Sequence, residues 1–130
     1  MNTLQQQFAS SVYKRVQAYA EESNEKDSKK YGAMALRLPI LVRKSGLVQA
    51  IAFLEMKAGG DSGKPFQVLL NDLSGVVMAG KSDSLSAASR TENLQEYIYL
   101  TRRTLIALDW FRRFAQSILN VETTDSVEGE

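Results

Sequence analysis

Leu4, Phe8, Val12, Val16 and Tyr19 recur at spacings of four and three, which predicts an amphipathic helix from about Thr3 to Glu21. The charged run Glu21-Glu22-Ser23-Asn24-Glu25-Lys26-Asp27 interrupts the pattern, and Ser28 is placed to cap the next helix through its hydroxyl. In that second helix Tyr31, Met34, Ala35, Leu38, Leu41 and Val42 form the inward stripe. Pro39 has no backbone donor and crowds the carbonyl four residues earlier, so the helix is expected to bend or restart between Ala35 and Leu38.

Ser45-Gly46 then stops the chain, because glycine accepts a left-handed conformation past a helix end without steric cost. A third helix is predicted from about Leu47 to Lys57, ending at Gly59-Gly60. Pro65 suits the first turn of a fourth, whose face is Phe66, Leu69, Leu70, Leu73, Val76 and Val77. Residues 81–90 read as a serine-rich linker with one short helical turn at Leu85 to Ala88. Thr91 is expected to cap the longest helix, about Glu92 to Asn120, roughly 43 Å long. Its wide apolar arc of Tyr97, Ile98, Thr101, Leu105, Leu108, Phe111, Ala115, Ile118 and Leu119 predicts the spine on which everything else packs. No strand alternation is present, so the fold class is all-α: one bundle of five or six helices over residues 1–121. The acidic stretch 122–130 lacks periodicity and is expected to be a disordered tail.

Composition narrows the chemistry. The chain has no cysteine and no histidine, which removes thiolate and imidazole ligands together with the usual base and proton shuttle. Glu21 to Asp27 lacks the alternating oxygen ligands and fixed glycine of a calcium loop. Gly59-Gly60-Asp61-Ser62-Gly63-Lys64 is followed by Pro65 where a phosphate loop needs serine or threonine. No nucleophile stands beside a base, so no catalytic residue, metal site or cofactor is expected. With no apolar run of membrane-spanning length and no leader-like start, a cytoplasmic protein is the simplest expectation.

The net charge of +1 hides an asymmetry. Sixteen cationic against eleven acidic side chains leave +5 on residues 1–121, and residues 29–57 hold six basic side chains against Glu55 alone. Such an excess reads either as a surface for an anionic partner or as a solvated helix face. Lys30, Arg37 and Lys44 are seven apart, which returns them to nearly one stripe with about 10.5 Å between neighbours, a spacing that long side chains can match to a nucleic-acid strand. On the last helix Arg102 and Arg113 share a strip with Asp109, while Arg103 and Trp110 lie beside it. The plain reading there is an exposed Asp109 to Arg113 pair. The sharper one makes Arg102, Arg103 and Arg113 phosphate contacts and Trp110 a stacking or docking group.

Two stretches go beyond generic helix: Tyr31-Gly32, Ala35, Leu38-Pro39, Leu41-Val42-Arg43, Gly46-Leu47 and Ala52-Phe53-Leu54, then Leu100-Thr101-Arg102, Ala107-Leu108, Trp110 and Arg113-Phe114-Ala115. In order, spacing and total length they resemble the small helical subunit of the type III-B CRISPR effector, the fifth protein of the Cmr complex. Arg103, the variable region 57–93 and the acidic tail depart from that pattern. The resemblance implies a non-catalytic subunit present in several copies, stacked along a ribonucleoprotein filament beside backbone subunits and helping to hold the guide and target RNA. Arg37, Arg43, Arg102 and Arg113 lie in the matched stretches and carry over as RNA-contact candidates, whereas Lys30, Lys44, Arg103 and Arg112 rest on helix geometry alone. A helical adaptor that binds only protein is the first rival, and a helical enzyme using aspartate and lysine is a distant one.

Overall fold

A computed structural model of the protein describes residues 3–122, and within them six helices and no strand are present. In chain order they are α1 (Leu4–Glu22), α2 (Glu25–Ser45), α3 (Leu47–Ala58), α4 (Lys64–Val77), α5 (Leu85–Thr91) and α6 (Leu94–Ile118). The acidic tail expected from 122 onward lies outside the described residues, apart from Glu122.

Helix α1 starts where the pattern put it. Thr3 and Gln6 form a reciprocal capping box, with the Gln6 N–H donating to the Thr3 hydroxyl at 3.1 Å and the Thr3 N–H to the Gln6 side chain at 2.8 Å. Helix α2 starts earlier than Ser28 would have it. Asn24 is the cap, its side-chain oxygen accepting from the Asp27 N–H at 2.8 Å, and Glu25 and Asp27 in the first turn complement the positive end of the dipole. The charged run is therefore a helix start, with Ser28 inside the helix. Nor does α2 restart at Pro39, because it is continuous from Glu25 to Ser45. Tyr31, Met34, Ala35, Leu38, Pro39 and Val42 are all buried around the proline, so packing on both sides offsets the missing backbone bond.

Gly46 ends α2 at φ 90°, a backbone conformation closed to most other residues, and α3 follows at once. No side chain of the preceding segment caps α3. The Tyr97 hydroxyl of α6 accepts from the Val48 N–H at 3.2 Å instead, so a long-range contact meets a local need. The serine-rich linker is more structured than expected. Ser84 caps α5 through the Ala87 N–H, and Leu85 and Ala88 are fully buried. Thr91 is the last residue of α5, its hydroxyl donating to the Ala87 carbonyl, and Asn93 caps α6 through the Glu96 N–H at 3.0 Å. The buried face of α6 is Leu100, Thr104, Ala107, Leu108, Phe111 and Ala115. Ile98, placed on that arc by the sequence, is 43% exposed.

The spine role is shared. Helices α1 and α2 pack most extensively on α6, whereas α3 packs principally on α4 and α2, and α5 on α3. Helix α2 thus has α3 on one flank and α6 on the other, with its inward stripe in the core. Beneath it lies one buried polar link. Tyr31, fully buried, donates its hydroxyl to Asp72 of α4 at 2.7 Å, and Arg15 of α1 approaches the other carboxylate oxygen at 3.4 Å. Tyr19 stacks on Tyr31 with ring centroids 4.4 Å apart.

Tyr31→Phe leaves the ring packing in place and removes a bond to a carboxylate, so it should lower stability by about 1.5 kcal/mol in urea denaturation. Burial raises the Asp72 carboxyl above its ordinary 3.8, against the lowering effects of Tyr31 and Arg15. The folded state therefore holds that proton more tightly than the unfolded chain, a contribution fully present below 3.8 and lost as pH rises through the raised value. The stability of the wild type relative to Asp72→Asn should narrow as pH increases across that window, as read from urea midpoints at a series of pH values.

Candidate nucleic-acid interface

The outward periodicity of α2 divides its cations between its two flanks. Arg37 turns toward α3, its guanidinium 5.4 Å from the centre of the Phe53 ring, and Lys57, one turn on from Phe53, brings its ammonium to 5.8 Å of the same ring. Phe53 is thus a half-buried aromatic seat holding two cations side by side. The sequence reading missed Lys57, for which the spacing of four from Phe53 on one helix was the available signal. Arg43 turns the other way, toward α6, where it pairs with Asp109 at 3.8 Å with both side chains about half exposed.

The stripe of Lys30, Arg37 and Lys44 is graded and not uniform. Lys44 is exposed, Arg37 is half-buried, and Lys30 is only 7% exposed. Lys30 borders a cleft of about 220 Å³ with Met56, Lys57 and Phe66. Its aliphatic stem belongs to the packing between α2 and the α3–α4 corner, which corrects its reading as a surface contact.

On α6, Arg102 and Arg113 are exposed, and Arg112 is half-buried on another side of the helix. The expected Asp109 to Arg113 pair is replaced by the bond from Asp109 to Arg43, while the Arg113 guanidinium stands 6.0 Å from the Trp110 ring centre. Trp110 is itself engaged. Its indole N–H donates to Gln5 at 2.8 Å, and its ring stacks on Phe114 at 5.7 Å. Arg103 is committed to the fold: it donates to the carbonyl of Val77, the last residue of α4, at 3.1 Å and lies over Phe8 at 5.1 Å and Tyr99 at 5.7 Å. A cation at a helix C-terminus satisfies an orphan carbonyl and the negative dipole end together. Among the described residues the exposed cations of α2 and α6 are therefore Lys26, Lys29, Arg43, Lys44, Arg102 and Arg113, with Arg37 and Lys57 at the Phe53 seat.

A larger cleft, of about 660 Å³, lies elsewhere between α1 and α4, lined by Ser10, Lys14, Arg15, Tyr19, Glu22 and Asp72 among others. Burial, followed by the Asp27 and Asp72 charges, pushes the Tyr19 phenol up to about 12, and burial and Asp72 push Tyr31 well above 10. Both phenols stay protonated at neutral pH, and Asp72 is held by Tyr31 and Arg15. Among the described residues no group of three or more metal-ligating side chains converges, and no helix is long and apolar enough to cross a membrane.

Fold and surface together define a small all-helical protein with exposed cations on its second and sixth helices. Comparison with known proteins narrows this. Residues 4–118 match the family described as CRISPR-associated protein (Cas_Cmr5), and the chain belongs to that family. It is 38% identical over 119 residues to the CRISPR system Cmr subunit Cmr5 of Thermus thermophilus, across 92% of this chain and 98% of that one. The crystal structure of a Cmr5 family protein from the same organism superposes with a TM-score of 0.77, covering 91% of this chain and 98% of that chain.

Arg103→Ala should lower stability by about 1–2 kcal/mol, because the Val77 carbonyl and two aromatic faces lose their partner. Arg43→Ala should change it by less than about 0.5 kcal/mol, as an exposed pair contributes little. Urea midpoints of the two variants measured side by side check the contrast between a structural and a surface arginine.

Proposed function

We propose that this chain is a non-catalytic subunit of a cytoplasmic Cmr ribonucleoprotein in antiviral defence, using its cationic face to hold RNA backbone. The observation that carries the reading is the set of exposed cations on two helices, Arg43 and Lys44 on α2 with Arg102 and Arg113 on α6, in a chain of this family. Lysine and arginine on helices neutralise phosphates and release counterions but read no base edges. The contact is therefore with guide and target RNA irrespective of sequence. In an assembly the chain stacks along the filament beside backbone subunits and neighbouring copies of itself. The engaged state of Asp72 and the protonated phenols of Tyr19 and Tyr31 support an accessory role, since neither a base nor a nucleophile is poised in the main cleft.

The rival reading, a protein-only adaptor, is favoured by the exposed apolar residues Ile40, Met56 and Leu94, which suit partner docking. One variant separates the two. Arg43→Ala/Lys44→Ala/Arg102→Ala/Arg113→Ala alters only exposed side chains, so its helical circular dichroism and melting cooperativity should match wild type. Its affinity for single-stranded or duplex RNA should fall, and the slope of log affinity against log salt should flatten by about one for each phosphate that is no longer neutralised. A folded variant that keeps its RNA affinity but fails to join the other subunits would decide for the adaptor.

A further inference from the structure

We infer that Tyr13 of α1 is a stacking platform for an unpaired RNA base, at the end of a band whose exposed cation is Arg113; this rests on the RNA reading above. The tyrosines differ in what already occupies them. Tyr19 and Tyr31 stack on each other, and their hydroxyls donate to the Asp27 carbonyl and to Asp72. The Tyr97 hydroxyl accepts from the Val48 N–H of α3. Tyr99 is 57% exposed, but Arg103 lies over its ring. Tyr13 is 48% exposed, and among the described residues its hydroxyl makes no hydrogen bond and no cation lies over its ring. A single exposed tyrosine is ordinary on a protein surface. The way this one is held points to a base.

Its ring meets Phe114 of α6 with centroids 5.4 Å apart and planes at 78°. An edge-to-face contact covers at most one face of either ring, so Tyr13 keeps a flat face for a base while Phe114 fixes its tilt. Phe114 is in turn stacked on Trp110 at 5.7 Å, and Trp110 donates to Gln5 of α1 at 2.8 Å, so both helices brace the platform. The band then continues to charge. Arg113 is exposed, lies one turn from both Asp109 and Trp110, and stands 6.0 Å from the indole ring centre. Asp109 carries the line on to Arg43 of α2. Cations and rings thus lie in order across α6, from Arg43 through Arg113 to Tyr13. Single strands are held by this combination, backbone on cations and bases on rings. Duplex RNA keeps its bases within its own stack and offers the ring none, so Tyr13 favours unpaired nucleotides while Arg113 serves both forms. Every base has a π-face, so the preference is for strandedness and not for sequence.

The test compares the full chain with Tyr13→Ala, Tyr13→Phe and Arg113→Ala, each checked by circular dichroism. The probes are a fluorescent oligouridine and an oligomer of the same length and charge whose sugars carry no bases, both read by anisotropy at low salt. Tyr13→Ala should weaken oligouridine binding about fivefold or more. It should leave the baseless oligomer and the salt slope unchanged, because a ring neutralises no phosphate. Tyr13→Phe keeps the π-face and should bind within about twofold of wild type, whereas Arg113→Ala should weaken both probes and flatten the slope. Unchanged oligouridine affinity in Tyr13→Ala overturns the proposal, and so does an equal loss on both probes. Bromouridine in the probe gives a readout in the unaltered chain that does not depend on how the variants fold. Irradiation should attach it to Tyr13, and attachment to Trp110 alone, or none, overturns the platform. A wild-type chain that binds neither probe overturns it by removing the RNA reading beneath it, whereas equal binding to both with no Tyr13 adduct refutes the stacking alone. A folded Tyr13→Ala chain that keeps its RNA affinity but no longer joins the other subunits makes Tyr13 a protein contact and overturns the proposal as well.

Discussion

The hydroxyl of Tyr31, donated from a fully buried ring to Asp72, is the constraint on which the rest of the packing depends. A buried phenol needs a partner for its proton, and a carboxylate withdrawn from water needs donors. Each supplies the other, and the pair ties α2 to α4 through a geometry that apolar contact alone does not specify. Arg15 extends the link to α1, its guanidinium lying where a Cβ on Gly75 would be. The stacked Tyr19 ring closes the arrangement on the α1 side. Three helices are thereby held in one register with respect to one another, and the apolar stripe of α2 is turned inward.

That inward turn decides where the charge goes. With Tyr31, Leu38 and Val42 in the core, a helical period leaves the arginines and lysines of α2 other than the buried Lys30 only its flanks and its outer surface. One flank meets α3, where Phe53 accepts Arg37 and Lys57 over its face, and the other meets α6, where Asp109 accepts Arg43. The placement of these cations is thus a consequence of how the core is built. Arg37 and Lys57 lie over Phe53, Arg113 stands beside Trp110, and Arg43 is paired across a helix boundary, so these side chains are partly ordered by the fold itself.

The helices were legible in the sequence because apolar periodicity is a local signal, and each of Phe8, Leu38, Leu54, Leu69 and Phe111 lies in the core of the helix assigned to it. Their ends were less legible. Asn24 and Asn93 outcompete Ser28 and Thr91 as caps, since an asparagine followed three residues later by an acidic residue's amide meets the helix start one turn sooner in α2 and a little later in α6. The α5 helix was foreseen only as one turn, because two buried residues, Leu85 and Ala88, are too few to make a period. For the surface, the sequence located the cations but not their commitments. Lys30 and Arg103 look no different along the chain from Lys44 and Arg102. What withdraws them is distant: the α3–α4 corner for Lys30, and the Val77 carbonyl with the Phe8 ring for Arg103.

Trp110 shows how such commitments bear on recognition. An aromatic ring reads a nucleic acid by offering a free face to a base, and an indole N–H adds direction only if it is available. Here the N–H is given to Gln5, one face is stacked on Phe114, and Arg113 stands at about cation–π range. The ring serves to join α1 to α6 and to steady the arginine beside it. What remains exposed on that helix is positive charge on long side chains, in Arg102 and Arg113. Charge so placed can follow a phosphate backbone but reads no base edge, which is why the RNA contact proposed above would carry position and no code.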